Sequence, residues 1–373
     1  MQPPLILGGG PAGAAAAIRL AAEGMPVRLI ERTTGPTDKV CGDFLSGGAL
    51  RALEALGVDP PALGAAPIRT LRLIRRQAVA ETTLPFPAAG LTRRVLDEAL
   101  LRVASRRGAE VLRGHTVRRL EPTPDGFVVP TATLGTLTAT AVFLATGKHD
   151  LRGAPRPDQS GGPPGLSEPL GLKMYYALAP DQREALRGSI ELVLLTGGYA
   201  GLQLVEHDVA VLCVLLPAER FRRAEGRWDR CLEDLTAEAP YLGQRLGGAI
   251  ACLDRPLAIA GIPYGHLHRA PDTAAPGLFR LGDQACVIPS FAGDGVAIAL
   301  ASSMLAATTW LGRGDARAYH RQLARRVGAP LRLASLVHRG CVTPVMQRFV
   351  TAASGAWPGL MRLVATATRI APA

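Results

Sequence analysis

Leu5-Ile6-Leu7-Gly8-Gly9-Gly10-Pro11-Ala12-Gly13, followed after an alanine-rich stretch by Val27-Arg28-Leu29-Ile30-Glu31-Arg32, is the segment on which the fold turns. An apolar run, a glycine turn, small residues and a second apolar run predict strand, turn, helix and strand, the opening of a parallel βαβ unit. The glycines fit G-x-G-x-x-G directly after a strand and at a helix start. Gly8 permits the tight turn, Gly10 lets backbone N–H groups approach a pyrophosphate, and Gly13 lets helix and strand pack closely. Pro11 and Ala12 begin the helix. Glu31 follows about 20 residues later, where a carboxylate accepts hydrogen bonds from a ribose. The segment predicts a bound dinucleotide.

Further along the chain, residues 93–107 carry Val95, Leu96, Ala99, Leu100 and Val103 at helical spacing, Gly108 ends that helix, and a strand starts at Glu110. A further apolar strand at 141–145 runs into Thr146-Gly147. Between 166 and 261 the texture changes to short runs rich in Val, Leu and Tyr, separated by Gly-Gly or His207-Asp208, which predict an antiparallel sheet; 68–74 and 79–84 are expected to join it. The Pro/Gly-rich stretch 153–165 reads as a crossing linker. From Gly277 to Leu305 the strand, turn and helix pattern returns, and the remainder is helical in pattern, interrupted at Pro330, Pro344 and Pro358. The expected class is α/β. Residues 1–67, 91–165 and 270–325 form a discontinuous Rossmann-type domain, 68–90 and 166–269 an antiparallel-sheet substrate domain, and 326–373 a helical C-terminal segment.

With 373 residues, 48% of them hydrophobic, the chain supplies core for roughly two domains. No run of about 18 apolar residues predicts a membrane span, and Arg19 breaks the most apolar early stretch. Without a basic leader and cleavable apolar segment before Leu5, the expected location is the cytoplasm. Six scattered cysteines without a C-x-x-C pair argue against a zinc site and a disulfide framework. The net charge is +11, yet three lysines (Lys39, Lys148, Lys173) stand among 42 basic residues and the arginines are spread along the chain, as in a compositional bias. Nucleic acid is not expected; an acidic carrier protein or a peripheral membrane contact is the expected partner of any basic face.

Through about Leu305 the chain resembles the flavoprotein superfamily that contains p-hydroxybenzoate hydroxylase, geranylgeranyl reductases and flavin-dependent halogenases. The resemblance rests on Gly8 to Gly13 with Glu31-Arg32, on Arg93-x-x-Leu96-Asp97, and on Arg280-Leu281-Gly282-Asp283-Gln284-Ala285 followed by Pro289 and Gly293-Asp294-Gly295. It implies FAD. Asp283, beside Gly282, is then the residue that bonds the ribityl chain, Arg93 reaches toward the cofactor, and the turn Gly293 to Gly295 lies against the pyrimidine end of the flavin. A helix starting there presents N–H groups to the negative charge that gathers at flavin N1 and O2 on reduction.

Val40-Cys41-Gly42 resembles the Cys-Gly loop that lies near the flavin in geranylgeranyl reductase-like members; Cys41 is a candidate there, against a small core residue. Thr146 and Gly147 stand where the hydroxylases carry an Asp-Gly pair contacting FAD and nicotinamide. They retain a place against the FAD pyrophosphate, and NAD(P)H bound transiently and a partner protein both stay open as reductants. His149 is a candidate acid or base against a structural histidine, and Lys173 a candidate to stabilise a flavin oxyanion against an edge-strand lysine. The Trp-rich motif of the halogenases is absent from 197–202, which argues against halogenation.

Leu192, Leu194, Leu202, Leu204 and Val211 are expected to face the flavin, so an apolar or aromatic, prenyl- or polyketide-type small molecule, free or carrier-bound, is the expected substrate. Two reactions fit: monooxygenation, hydroxylating or epoxidising through a flavin C4a-hydroperoxide, and geranylgeranyl reductase-like reduction or dehydrogenation of a carbon–carbon bond. An electron-transfer flavoprotein and a flavin-free NAD-binding protein are the readings from other classes.

Overall fold

The computed structural model describes residues 3–156, 168–269 and 275–370. The opening segment forms the centre of a five-stranded parallel sheet, in the order Leu278–Arg280, Val142–Leu144, Leu5–Leu7, Arg28–Glu31, Glu110–Arg113. Its glycine turn leads into the helix Pro11–Ala21, whose small side chains let it bury against the helices Arg93–Arg106 and Gly295–Leu311. The last of these is apolar all round and lies deep in the core, as its sequence requires.

The second sheet has nine strands. Its main path runs Ile250–Ala251, Pro169–Ala177, Ala210–Pro217, Gly198–Leu204, Ser189–Leu195, Ala66–Arg75, Ala78–Gly90, Phe44–Leu45, and Leu257–Ala260 pairs with Pro169–Ala177. The sheet is mixed, where the sequence led us to expect antiparallel pairing throughout. Ser189–Leu195 runs parallel to Ala66–Arg75, because these strands come from distant parts of the chain and no hairpin dictates their direction. One face packs under the short helices Pro180–Leu186, Trp228–Glu238 and Pro240–Arg245. The other faces a large cavity.

Two further differences from the sequence reading have local causes. A three-stranded meander, Glu121–Thr123, Gly126–Pro130 and Thr136–Ala139, stands between Glu110–Arg113 and Val142–Leu144; Pro122, Gly126 and Pro130 had obscured its alternation. The helix Ala316–Val342 runs through Pro330 without a break, so the boundary expected at 325/326 falls inside one element. Pro344 and Pro358 instead open the helices Pro344–Ala356 and Pro358–Ala367, where a missing N–H costs nothing. The expected linker at 153–165 lies largely outside the described residues. Among the described residues, no helix is long and apolar enough to cross a membrane, and no three metal-binding side chains gather.

Candidate functional site

The first glycine turn is fixed by close backbone approach. A Cβ on Gly8, at φ +105°, would lie 2.4 Å from the Ala145 carbonyl oxygen, and one on Gly13 would lie 1.8 Å from that of Gly8. Gly10 precedes the helix in an extended conformation, and no side chain caps the helix start. Since Pro11 has no N–H, Ala12 and Gly13 provide the donors of the first turn. The Arg93 guanidinium lies across the turn, its Nη2 3.1 Å from where a Gly10 Cβ would be, and is held bidentate by Asp97 at 2.7 Å and 2.7 Å. Glu31 accepts from Gly9 N at 2.6 Å and from Thr33 N and Oγ1 at 2.9 and 2.8 Å. Burial pushes its carboxyl up, but these bonds and nearby Lys39 outweigh burial and hold it below the usual carboxylate range.

The second half of the cleft comes from far along the chain. Gln284 Nε2 donates to the carbonyls of Gly147 and His149 at 2.8 and 3.0 Å, tying the turn at 146–149 to the turn at 282–284. Thr146 Oγ1 is used inside its own turn, on the His149 carbonyl at 2.6 Å. Asp283 pairs with Lys148 Nζ at 3.2 Å, which raises the lysine's pKa. Pro289 introduces the single turn Ser290–Ala292, and Gly293, at φ +66°, has Phe44 packed 2.7 Å from where its Cβ would be. Asp294 is turned away from the helix it precedes. Its Oδ1 accepts from Ser46 Oγ at 2.7 Å and Arg369 Nη1 at 3.1 Å, and its Oδ2 from Ile370 N at 2.9 Å. The start of Gly295–Leu311 therefore also has no side-chain cap, and Gly295 and Val296 border the cavity.

Two helix starts without side-chain caps, glycines that leave backbone exposed at both, and a charged carboxylate at Glu31 fit a dinucleotide carrying a flavin. Gly8, Gly10, Gly13 and Glu31 would hold its adenosine diphosphate part, and Asp283 with Gly293 to Gly295 the flavin part.

The adjoining cavity encloses about 720 Å³. Leu71, Leu73, Ile190, Leu192, Leu194 and Leu215 supply much of its apolar wall, and the C-terminal helices close it opposite the sheet. Cys41, Lys148 and Asp283 border it. Leu202 and Leu204 do not, which corrects the sequence reading. Cross-strand partners share a face: Leu192 pairs with Gly201 and Leu194 with Tyr199, whereas Leu202 pairs with Glu191 and turns to the helix-covered side with Leu204. Val211 is on the cavity face opposite Gln203, but outside the wall.

Two proposed catalytic groups lie elsewhere. Lys173 is fully buried, with Nζ 2.5 Å from Asp43 Oδ2 and 3.0 Å from the Lys39 carbonyl, so it is neither a cavity group nor an edge lysine. Burial alone would lower its pKa, but Asp43 more than offsets this and keeps it protonated. The pair anchors the 39–43 segment, in which Asp43 is held at φ +54°. His149 places Nε2 3.1 Å from Arg32, away from the cavity wall; burial and the cations Arg32 and Lys39 keep it neutral.

The sequence reading missed the polar groups that do enter the cavity wall. Tyr199 and Ser290 hydroxyls are 2.7 Å apart, Tyr264 donates to Ser290 Oγ at 2.8 Å, and Phe291 N donates to Tyr199 at 3.1 Å. Burial raises both tyrosine pKa values, so three hydroxyl protons share two hydrogen bonds within the cluster and one proton remains to be donated. Gln203 gives Nε2 to the Asp43 carbonyl at 3.0 Å and leaves Oε1 buried without a partner. Tyr199 and Gln203 share the strand Gly198–Leu204, whereas Tyr264 and Ser290 come from turns 60 or more residues further along the chain, so no local motif marks the group.

Residues 2–138 match the family described as FAD binding domain. Menaquinone reductase of Mycobacterium tuberculosis is 36% identical over 115 residues, 30% of this chain and 28% of that protein. Hydrogen cyanide synthase subunit HcnB of Pseudomonas aeruginosa is 45% identical over 73 residues, 20% of this chain and 14% of that protein. The matches thus span less than a third of the length of these curated relatives. Among solved structures, the flavin-dependent brominase Bmp2 superposes with a TM-score of 0.78 at 17% identity, covering 98% of this chain and 92% of that one. A flavoprotein/dehydrogenase from Cytophaga hutchinsonii gives 0.75 at 16%, covering 99% and 97%. At such identities the likeness is one of fold.

Proposed function

We propose that this chain, which carries an FAD-binding domain in its first part and the fold of flavin-dependent enzymes throughout, is an FAD-dependent oxidoreductase acting on an apolar or aromatic small molecule. The observation that carries this reading is the cavity of about 720 Å³, apolar over most of its wall, that meets Cys41, Asp283 and Gly293 to Gly295 at one side. Bound FAD supplies hydride exchange with a carbon centre and, once reduced, activation of molecular oxygen. The protein's part is to exclude water with leucine walls and to orient the substrate. The spare proton of the Tyr199, Ser290 and Tyr264 cluster donates to a substrate carbonyl or hydroxyl oxygen, and Gln203 Oε1 accepts from a substrate hydroxyl.

Monooxygenation is our first reading. The walls offer a dry site for it. Reduction of a carbon–carbon double bond is the second, favoured by the likeness to menaquinone reductase and by the position of Cys41 in the wall. NAD(P)H is the proposed reductant in either case. The deciding experiment incubates the FAD-loaded protein and NADPH with prenylated and aromatic quinones, with and without oxygen, and identifies products by mass. Gain of one oxygen atom, lost without oxygen, supports the first reading; gain of two hydrogens under anaerobic conditions that survives reoxidation of the quinone ring supports the second. Absence of turnover in both, with FAD bound, would remove the substrate class.

A further inference from the structure

The charge of this chain is not spread evenly in three dimensions. Nine of its 42 basic residues and none of its 31 acidic ones fall in 316–373, which leaves 33 against 31 in all the rest. The net charge of +11 is thus largely the charge of the C-terminal helices. In Ala316–Val342 the exposed positions Arg321, Arg325, Arg332, Leu336 and Arg339 recur at helical spacing and form one stripe. Arg348 and Arg362 are exposed on the two helices that follow.

The same helices hold exposed apolar side chains. Among the described residues, eight large hydrophobic side chains are exposed, and six of them are Leu336, Val345, Met346, Phe349, Trp357 and Leu363. Leu336, Arg339 and Met346 also border the cavity, so its opening lies where the basic stripe and the apolar side chains meet. Arginines beside exposed Trp, Phe and Leu suit a boundary between anionic headgroups and acyl chains: the guanidinium groups reach the headgroups while the apolar groups enter below them.

We propose that this face docks on an anionic lipid bilayer and that the cavity draws its substrate from the bilayer through the opening at Leu336, Arg339 and Met346. The second half of this statement rests on the reading of the cavity as a substrate site; the first half does not. An acidic protein would account for the arginines but not for six exposed apolar side chains beside them, and a second copy of the chain would bring a like-charged face against this one.

The test uses the full FAD-loaded chain with vesicles of phosphatidylcholine alone and of phosphatidylcholine mixed with phosphatidylglycerol. Sedimentation with the mixed vesicles, weakened by salt and absent with the neutral ones, is expected. Each arginine at an anionic surface contributes about fivefold in binding, so the combined Arg321→Gln, Arg325→Gln and Arg332→Gln variant should bind roughly 100-fold more weakly. These side chains lie outside the cavity wall, so retention of FAD and turnover of detergent-dispersed quinone should stay unchanged in that variant. Trp357→Ala should weaken vesicle binding without altering its salt dependence. Equal binding to both vesicle types, or full binding by the triple variant, would overturn the proposal. So would concentration-dependent dimerisation abolished by Phe349→Ala, or capture of an acidic acyl carrier protein, where vesicle binding is absent. If vesicles bind as expected but no quinone turns over, docking stands and the substrate reading alone fails.

Discussion

At the residue scale, the positions legible in the sequence are those whose role is set by local backbone geometry. Gly8 and Gly13 have no space for a Cβ whatever the rest of the chain does, so their pattern shows without a partner. Lys173 was misjudged because its partner is 130 residues away and no spacing rule links it to Asp43. Removing one half of such a pair leaves a buried charge. Lys173→Met should therefore cost about 3–5 kcal/mol in urea unfolding, and Asp43→Asn added to it should restore part of that, since Asn tolerates a left-handed backbone. A single variant as stable as the parent would show that the pair does not anchor the loop. Asp283, half-buried at the cavity edge and paired with Lys148, is the residue proposed to bond the ribityl chain of the cofactor. Asp283→Ala should lower FAD occupancy, read from the flavin absorbance, with little change in the apoprotein's unfolding; unchanged occupancy would end the role assigned to it.

Single elements show a different limit. Hydrophobic period found Pro11–Ala21, Arg93–Arg106, Gly295–Leu311 and most strands, but not Gly47–Ala55 or the short helices between 180 and 245; proline was weighed as a breaker throughout the C-terminal segment, and within Ala316–Val342 tertiary packing overrides it. That helix carries His338, fully buried, with neither ring nitrogen hydrogen-bonded and with Tyr199, Tyr264 and Phe291 around it at centroid distances of 5.8, 5.7 and 6.2 Å. Burial lowers its pKa to about 4 from the ordinary 6.5. Between those values the unfolded chain binds the proton and the folded chain does not, so stability falls as pH drops from about 6.5 to about 4 and the loss levels off below. The loss from this one residue is of the order of 3 kcal/mol. Urea midpoints measured across that range should decline less steeply in His338→Leu than in the parent. An identical slope would place the acid sensitivity elsewhere, with His268 and His320, lowered by burial to about 4 and about 3, as the next groups to replace.

For the whole molecule, the sequence announced an apolar sheet over a nucleotide domain, but alternation within a strand defines two faces without saying which one meets the cavity. Register decides that, and register here joins strands far apart in the chain. The face that does meet the cavity combines Leu192 and Leu194 with Tyr199, Gly201 and Gln203, so the room for substrate comes partly from a missing side chain. A Cβ on Gly201 would have ordinary contact with Leu192 Cδ2 at 3.8 Å, and its φ does not lie in the left-handed region. A larger residue can therefore stand there and reach into the cavity without straining the strand, in which glycine is a weak choice. Gly201→Leu should leave FAD occupancy unchanged and the unfolding midpoint unchanged or raised. For a bulky prenylated substrate it should lower kcat/KM by at least about tenfold, the effect of roughly 1.4 kcal/mol, while a single-ring substrate is affected less. The comparison of two substrates in one variant separates cavity shape from general damage: equal losses for both would mean that the cavity does not hold the reacting molecule.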